Sequence, residues 1–234
     1  MSAPAIKGFI SMGLQGVMET LGPRFEQASG CQLSLAFNPS AALNRRLQGG
    51  ETADVVIGTR GMVDGLIAAG MVAPASDVVL AHSAVGIAVC KGARKPDIST
   101  AEAFTQALLA ARAIGCSDPA GGGASGVHFR KLIERLGIAD AIVPKIRLAP
   151  VGHFTAALLV SGDADLAVQQ ISELIVVEGA EVLGPLPGEL GETSTFVGAV
   201  HAQAQEPRGA AALLAFLRTP EAVAVIKAKG LEPA

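Results

Sequence analysis

The stretch Ile6-Lys7-Gly8-Phe9-Ile10-Ser11 is a short apolar run that ends in a hydroxylated residue, after which a helical pattern begins. The same arrangement recurs further along the chain, in runs that end near Phe37, Ile57, Ser117, Pro150 and Val168. Alternating strand and helix patterns are typical of parallel βαβ units. In open α/β sheets, ligands bind beyond the carboxyl ends of the strands, where helix N-termini offer unpaired N–H groups. The repeated pattern therefore predicts an α/β fold that holds a small anion.

The composition allows one large domain or two small ones, with ample apolar material for a core. Half of the 234 residues are apolar, and the aromatic residues are eight Phe, with no Trp and no Tyr. The net charge is −3 and no basic block is present, which argues against nucleic acid as a partner. No apolar run reaches the roughly 18–20 residues that a membrane-spanning helix needs, so we expect no membrane insertion.

The N-terminal sequence Met1-Ser2-Ala3-Pro4-Ala5-Ile6 lacks the basic start and the apolar core of a signal peptide. Two localisations stay open, because the protein is periplasmic if a leader was removed and cytoplasmic if Met1 is the native start. An intracellular protein cannot deliver cargo to a transporter, so the second case favours an enzyme or a sensor.

The cysteines and histidines form no metal-binding pattern. Cys31, Cys90 and Cys116 are odd in number and lie in apolar, strand-like runs, which predicts free buried thiols. The sequence contains no CxxC, no HxxxH and no carboxylate-rich ligand spacing. We therefore expect neither a structural metal nor a cofactor.

Two long apolar runs, 78–90 and 194–200, interrupt the alternation because neither leaves room for an intervening helix. We interpret them as crossover strands between two lobes. The first lobe would comprise residues 1–80 and 200–234, and the second would comprise residues 84–193. Two linkers between two α/β lobes make a hinged cleft, which the strand ends would line.

Several short segments together resemble the molybdate-type periplasmic binding proteins. They are Ser11-Met12-Gly13-Leu14, Phe25-Glu26, Phe37-Asn38-Pro39-Ser40, the run from Leu47 to Ile57, the tail from Phe216 to Ala222, and Lys229-Gly230-Leu231. This resemblance spans nearly the whole chain. It implies the type 2 periplasmic-binding-protein fold, with two mixed sheets flanked by helices and a ligand cleft between two lobes. Fold alone does not fix the ligand, since this scaffold serves many anions and a few enzymes.

The resemblance also implies anion-binding residues. Ser11 and Ser40 match the two serines that hold the oxyanion in that family, although each could be an ordinary helix N-cap. The Gly-rich loop 118–126 matches the helix start of the second lobe, with a mobile surface loop as the alternative. Glycines allow backbone N–H groups to approach an anion closely. The residues of this loop that we expect at the ligand are Gly123, Ala124, Ser125 and Gly126.

Two further pairs of candidate ligand-binding residues follow strand-like runs. The family's tyrosine falls near Gln169 and Gln170, and this chain has no Tyr, so the molybdate cage is incomplete. Thr59 and Arg60 end the third strand. Arg60 is either a solvent-exposed loop residue or a ligand-binding residue whose guanidinium holds a carboxylate in a bidentate contact.

The four histidines divide into two pairs. His128 and His153 lie at predicted helix starts that face the cleft, where either could meet the ligand or be structural. A helix N-terminus disfavours the charged imidazole, which would keep such a histidine neutral and able to act as a base. His82 and His201 flank the crossover runs, and we interpret both as structural.

These donors favour an organic di- or tricarboxylate over molybdate, because carboxylates accept bidentate Arg and charge-assisted His bonds. Two main functions stay open. The first is a monomeric binding protein for a small anion, with a membrane permease as partner if it is exported. The second is a cofactor-independent isomerase, similar to the fold-related aconitate isomerases, with His128 or His153 as the acid/base catalyst of an allylic proton shift. An intracellular ligand-binding regulator is a third alternative.

Overall fold

The computed structural model describes residues 4–234, so the first three residues of the predicted first lobe and of the N-terminal sequence lie outside the described residues. The strands β1 to β10 are Ala5–Ser11, Gln32–Asn38, Val55–Thr59, Val78–Cys90, Ile114–Ser117, Ile146–Ala149, Leu166–Gln170, Ala180–Pro185, Thr193–Val200 and Glu232–Pro233. The helices α1 to α10 are Gln15–Ser29, Ser40–Gln48, Arg60–Ala68, Ala101–Ala110, Ala124–Arg135, Ala139–Ile142, Ala157–Val160, Ile171–Leu174, Pro207–Phe216 and Pro220–Ala228.

The chain forms two compact units. Unit one consists of the described residues up to Ser83 together with Ser194–Ala234, and unit two consists of Ala84–Thr193. Both long apolar runs are strands, β4 and β9. The unit boundaries fall within β4, between Ser83 and Ala84, and within β9, between Thr193 and Ser194.

The sheet of unit one has the order β2-β1-β3-β9, with β1 to β3 parallel and β9 antiparallel to β3. Strand β1 is buried on both faces because helices cover both sides of the sheet, as expected for parallel strands. Ile10 belongs to the core beneath α1, α9 and α10, whereas Phe9 belongs to the core beneath α2 and α3. Neighbouring side chains of one strand thus anchor two helical layers.

Asp54 joins the two chain segments of unit one. Its buried carboxylate accepts hydrogen bonds from the backbone N–H of Lys7 at 2.7 Å, of Gln205 at 2.6 Å and of Glu206 at 2.8 Å. This one side chain therefore links the start of β1 to the segment that precedes α9.

The sheet of unit two has the order β6-β5-β7-β4-β8, with β5, β6 and β7 parallel and β4 antiparallel to β7 and β8. A larger core, which includes Phe104 of α4 and Phe129 of α5, covers one face. A smaller core, which includes Leu159 of α7 and Leu174 of α8, covers the other. The carboxyl ends of the three parallel strands therefore lie at one edge, as in unit one.

The predicted α/β architecture, with mixed sheets flanked by helices, is confirmed, and all six strand-then-helix runs contain strands. Two details differ from the sequence predictions. His153 does not begin a helix, because residues 150–156 form turns and α7 starts at Ala157. All three cysteines are free, but only Cys116 is buried, since Cys31 and Cys90 are partly exposed.

Among residues 4–234, no single helix is long and apolar enough to cross a membrane. Helices α9 and α10 have the length and apolar composition of a membrane span only when they are taken together, and the pair is bent by 68° at the break between them.

Candidate functional site

The first set of candidate residues lies at the carboxyl edge of the unit-one sheet. Ser11, the last residue of β1, aligns with Asn38, the last residue of β2, and β3 ends in parallel at Thr59. The Ser11 side chain is buried, yet it makes no capping hydrogen bond to any described residue of the helical turn that follows. The N-cap alternative is therefore not realised at Ser11, and its hydroxyl is available to another acceptor.

Ser40 and Thr59 are in direct contact at the same edge. Ser40 is the first residue of α2, with Pro39 as the N-cap, and it is also buried. Its Oγ accepts a hydrogen bond of 3.1 Å from the backbone N–H of Thr59. Because a hydroxyl both donates and accepts, this bond leaves the Ser40 proton free to donate. The contact also fixes the start of α2 against the start of α3.

Arg60 is held by two carboxylates of unit one. Its Nη1 lies 3.2 Å from Asp77 Oδ2 and 3.3 Å from Asp64 Oδ1, and its side chain is 37% exposed. The hydrogen bond with Asp77 is the largest of the interactions that raise the pKa of Arg60. Its predicted bidentate contact with a ligand carboxylate stays a prediction, because the guanidinium would first have to break its ion pairs with Asp64 and Asp77.

In unit two, Ser117 and Ser125 form a hydroxyl pair with a 3.0 Å Oγ–Oγ distance. Ser117 ends β5, and Ser125 is a buried residue in the first turn of α5. Sequence reasoning selected Ser125 and omitted Ser117. The signal for Ser117 was present, since it ends the run of β5 just as Ser11 ends that of β1.

The glycines of the 118–126 loop pack closely against Ser117. A Cβ at Gly126 would collide with the Ser117 carbonyl oxygen, and one at Gly123 would lie 2.5 Å from Ser117 Oγ. Glycine is thus required here for α5 to start beside the end of β5. As in any helix, the first-turn N–H groups have no intrahelical acceptor. These groups belong to Ala124, Ser125 and Gly126, three of the predicted anion donors.

Gln169 is fixed by a buried network. Its Oε1 accepts hydrogen bonds from Thr155, at 2.7 Å from the backbone N–H and at 2.9 Å from the hydroxyl. Gln169 also forms a side-chain hydrogen bond with the carboxyl group of Glu173 in α8. Gln170, the next residue, is buried as well and has a polar partner of its own. The predicted ligand role of the two glutamines stays a prediction.

Glu173 is an acid that the sequence analysis missed. Burial raises its pKa to about 7, against the opposing effect of the hydrogen bond with Gln169. It lies in α8, the helix that follows β7, but no periodicity or motif distinguishes it from a solvated glutamate at the sequence level. Its desolvation depends on packing that is visible only in the structure.

The two histidines proposed as catalysts differ in their surroundings. His128 is largely buried, and its Nε2 lies 2.9 Å from the Leu190 carbonyl oxygen. A carbonyl only accepts, so Nε2 carries the proton and Nδ1 is the basic nitrogen, 3.8 Å from Glu192 Oε2. His153 is exposed, with its Nδ1 3.4 Å from the Val151 carbonyl oxygen.

The other two histidines have partners within unit one. His82 Nδ1 lies 3.0 Å from Thr195 Oγ1, and the buried His201 accepts a hydrogen bond from the Gln203 N–H at 3.2 Å. Burial lowers the pKa of His201. Within the part of the chain that the structure describes, no three His, Cys, Asp or Glu side chains are grouped as around a metal ion.

Comparison with known proteins gives concordant results. The family model described as bacterial extracellular solute-binding protein matches residues 6–232. A protein named aconitate isomerase, from Pseudomonas sp., is 36% identical over 229 residues, which cover 95% of this chain and 86% of that protein.

Two solved structures show the same fold at low identity. The periplasmic molybdate-binding protein of Azotobacter vinelandii has a TM-score of 0.80 at 20% identity, covering 97% of this chain and 98% of its own. The sulfate-binding protein SubI of Mycobacterium tuberculosis has a TM-score of 0.77 at 19% identity, and the match covers 99% of this chain and 87% of that protein. The chain therefore belongs to the bacterial extracellular solute-binding proteins and has the fold of their molybdate-type periplasmic members.

Proposed function

We propose that this protein binds aconitate and interconverts its cis and trans isomers. The observation that carries the proposal is the 36% identity, over 95% of the chain, to a protein named aconitate isomerase. The composition supports a ligand other than molybdate, because a chain without Tyr cannot supply the tyrosine hydroxyl of the molybdate-type cage.

The strand-end groups of both units suit an anion with several carboxylates. Unit one offers the hydroxyls of Ser11 and Ser40, and unit two offers the first-turn N–H groups of α5. Hydrogen bonds from such donors to carboxylates are charge-assisted and stronger than those between neutral groups. Each set of donors is suited to bind a carboxylate group.

The reaction itself needs one acid/base group and no cofactor. A base removes a proton from the methylene carbon of aconitate, and the double bond moves to that carbon. The proton then returns to the former vinyl carbon, so the composition of the anion is unchanged. A positioned acid/base group typically accelerates such a transfer by about 10²–10⁴-fold.

His128 is the preferred base among the two predicted histidines. Its Nε2–H is fixed by the Leu190 carbonyl, which leaves the lone pair of Nδ1 available to accept a proton. His153 is exposed and only loosely held, so its orientation is less defined. Glu173, with a pKa of about 7, is the other group of unit two that suits proton transfer near neutral pH.

The experiment is to incubate the purified protein with trans-aconitate and follow the appearance of cis-aconitate by proton NMR. The variants are His128→Ala, His153→Ala and Glu173→Gln, each also measured for binding by calorimetry. We expect His128→Ala to lower turnover about 100-fold or more while trans-aconitate still binds. Full turnover in both histidine variants would exclude a histidine base, and no turnover by the unmodified protein would exclude the isomerase.

A carrier for the same anion is the second candidate, favoured by the match to a family of extracellular solute-binding proteins. A thermal-shift screen separates the ligands, with molybdate, tungstate and sulfate beside citrate, succinate and both aconitates. A ligand at about 100 times its Kd adds about 2.7 kcal/mol to the free energy of unfolding. Stabilisation by aconitate without isomerisation would support the carrier, and stabilisation by molybdate alone would exclude both proposals.

A further inference from the structure

A separate cavity of about 920 Å³ lies within unit two. Leu166, at the start of β7, and Ala111 and Arg112, which precede β5, line it. The candidate residues Ser117 and Gln169 stand at the opposite, carboxyl ends of those strands. The cavity is therefore remote, along the same strands, from the site described above.

Several of the side chains that border the cavity are small. Helix α4 contributes Ala103, Ala107 and Ala110, spaced three or four residues apart and hence on one face of the helix. Leu159 and Val160 of α7 also line the cavity, and Val160 is 54% exposed. A large partly apolar concavity of this size is within the range of small-molecule sites.

The charges of the lining leave one cation unpaired. The lining contains three cations and two carboxylates. Arg112 Nη2 lies 3.1 Å from Asp165 Oδ1, and Lys95 Nζ lies 2.5 Å from Glu181 Oε1. Among the described residues, Arg94 alone of these three cations has no acidic partner. The lining is thus partly apolar, and its Arg94 guanidinium has no acidic partner among the described residues.

We propose that this cavity binds a small amphipathic monocarboxylate, with its hydrocarbon body against the alanine face of α4 and its carboxylate on Arg94. A guanidinium matches a carboxylate in a bidentate geometry, whereas burial of apolar surface stabilises the hydrocarbon body. A tricarboxylate such as aconitate does not fit this chemistry, because its other carboxylates would lose water against apolar walls. The ligand class is therefore distinct from the substrate proposed above.

The first test is calorimetric titration with decanoate below its micelle concentration. We expect saturable binding that weakens at least fivefold in Arg94→Ala and is unchanged in Arg208→Ala, an exposed arginine of α9 in unit one. Decyltrimethylammonium, with the same chain and the opposite charge, should not bind. Failure of decanoate to saturate, equal binding of the cation, or equal binding by Arg94→Ala would each overturn the proposal.

The second test locates the decanoate by thiol protection. Cys90 lines the cavity, whereas Cys31 is partly exposed in unit one, and both are free. Cys116 is buried with a pKa raised to about 12, so it should not react. We expect decanoate to slow the labelling of Cys90 by N-ethylmaleimide at least fivefold and to leave Cys31 unchanged. Unchanged labelling of Cys90 under saturating decanoate would overturn the proposed location.

Discussion

The strand ends of the two units present their polar groups in opposite ways. In unit one, Ser11 makes no capping bond to a described residue, and Ser40 accepts one bond while its proton stays free. In unit two, Ser117 is paired with Ser125, and the Gln169 amide is held by Thr155. Unit one thus offers hydroxyls to a ligand without breaking internal bonds, whereas unit two has rigid side chains and open backbone N–H groups. Substitutions should therefore affect ligand binding in unit one and stability in unit two.

The largest effect is expected for Gly126→Ala, a substitution at the start of α5 in unit two. The added Cβ would collide with the Ser117 carbonyl oxygen, and backbone cannot move aside as a flexible side chain can. Overpacking typically lowers the free energy of unfolding by about 1–3 kcal/mol, and we expect the upper end of that range or more here because the contact is with backbone. Denaturant unfolding followed by circular dichroism measures it.

Gly65→Ala in α3 of unit one is the matched control. It is also a helical glycine, and a Cβ there meets no described atom within 4 Å. Alanine favours a helix over glycine, so we expect stabilisation by about 0.5–1 kcal/mol. Equal stability of Gly126→Ala and the unmodified protein would show that the α5 start is not tightly packed.

Glu173→Gln tests the buried network of unit two through its pH dependence. The folded-state pKa of about 7 lies above the ordinary value of 4.5, so the carboxyl favours folding when protonated. The contribution of the protonated carboxyl to the free energy of unfolding is complete below pH 4.5 and is lost as the pH rises through 7. It amounts to at most about 3 kcal/mol. We expect Glu173→Gln to exceed the unmodified protein in unfolding free energy at pH 8, with little difference at pH 4.5.

Glu178→Gln, a change at an exposed carboxylate a few residues further on, is the control for that measurement. Its difference from the unmodified protein, measured at both pH values, gives the effect of removing an exposed carboxylate. A Glu173→Gln difference that changes with pH no more than this control would mean that the Glu173 carboxyl is solvated in the folded protein.

Ser11→Ala and Ser117→Ala compare the two units directly. Loss of the Ser11 hydroxyl removes no capping bond to a described residue, so we expect unchanged stability and about tenfold weaker trans-aconitate binding. Loss of the Ser117 hydroxyl leaves the buried Ser125 hydroxyl without this partner, which should lower stability by about 1–3 kcal/mol. Calorimetry and thermal unfolding of both variants measure the two effects. Lower stability of Ser11→Ala, together with unchanged stability of Ser117→Ala, would contradict this comparison of the two units.

The smallest effect is expected for Arg60→Ala. Its ion pairs with Asp64 and Asp77 are partly exposed, and such pairs contribute less than about 1 kcal/mol to stability. Because those carboxylates already hold the guanidinium, we expect the Kd for trans-aconitate to rise less than threefold. A larger increase, measured by calorimetry, would mean that Arg60 leaves its ion pairs to hold the ligand.

The sequence predicted the elements of the fold better than the contacts of the site. The strand ends at Ser11 and Thr59 were predicted because alternation and helix-start signals are local. The partners of Thr155 and Arg60 are not local, since Gln169 is 14 residues from Thr155 and Asp77 is 17 residues from Arg60. Glu173 was missed for a related reason, because its environment depends on packing rather than on neighbours in sequence.

The discontinuity of unit one has a consequence for synthesis on the ribosome. Strand β3 obtains its partner β9, and Asp54 obtains Gln205 and Glu206, only from the final segment of the chain. Unit two is complete in the nascent polypeptide before that segment is translated. During that interval β3 lacks its neighbour, and a strand edge of this kind is open to pairing with other chains. Slow translation near the C-terminus should therefore favour aggregation of the N-terminal half, which a holding chaperone would suppress.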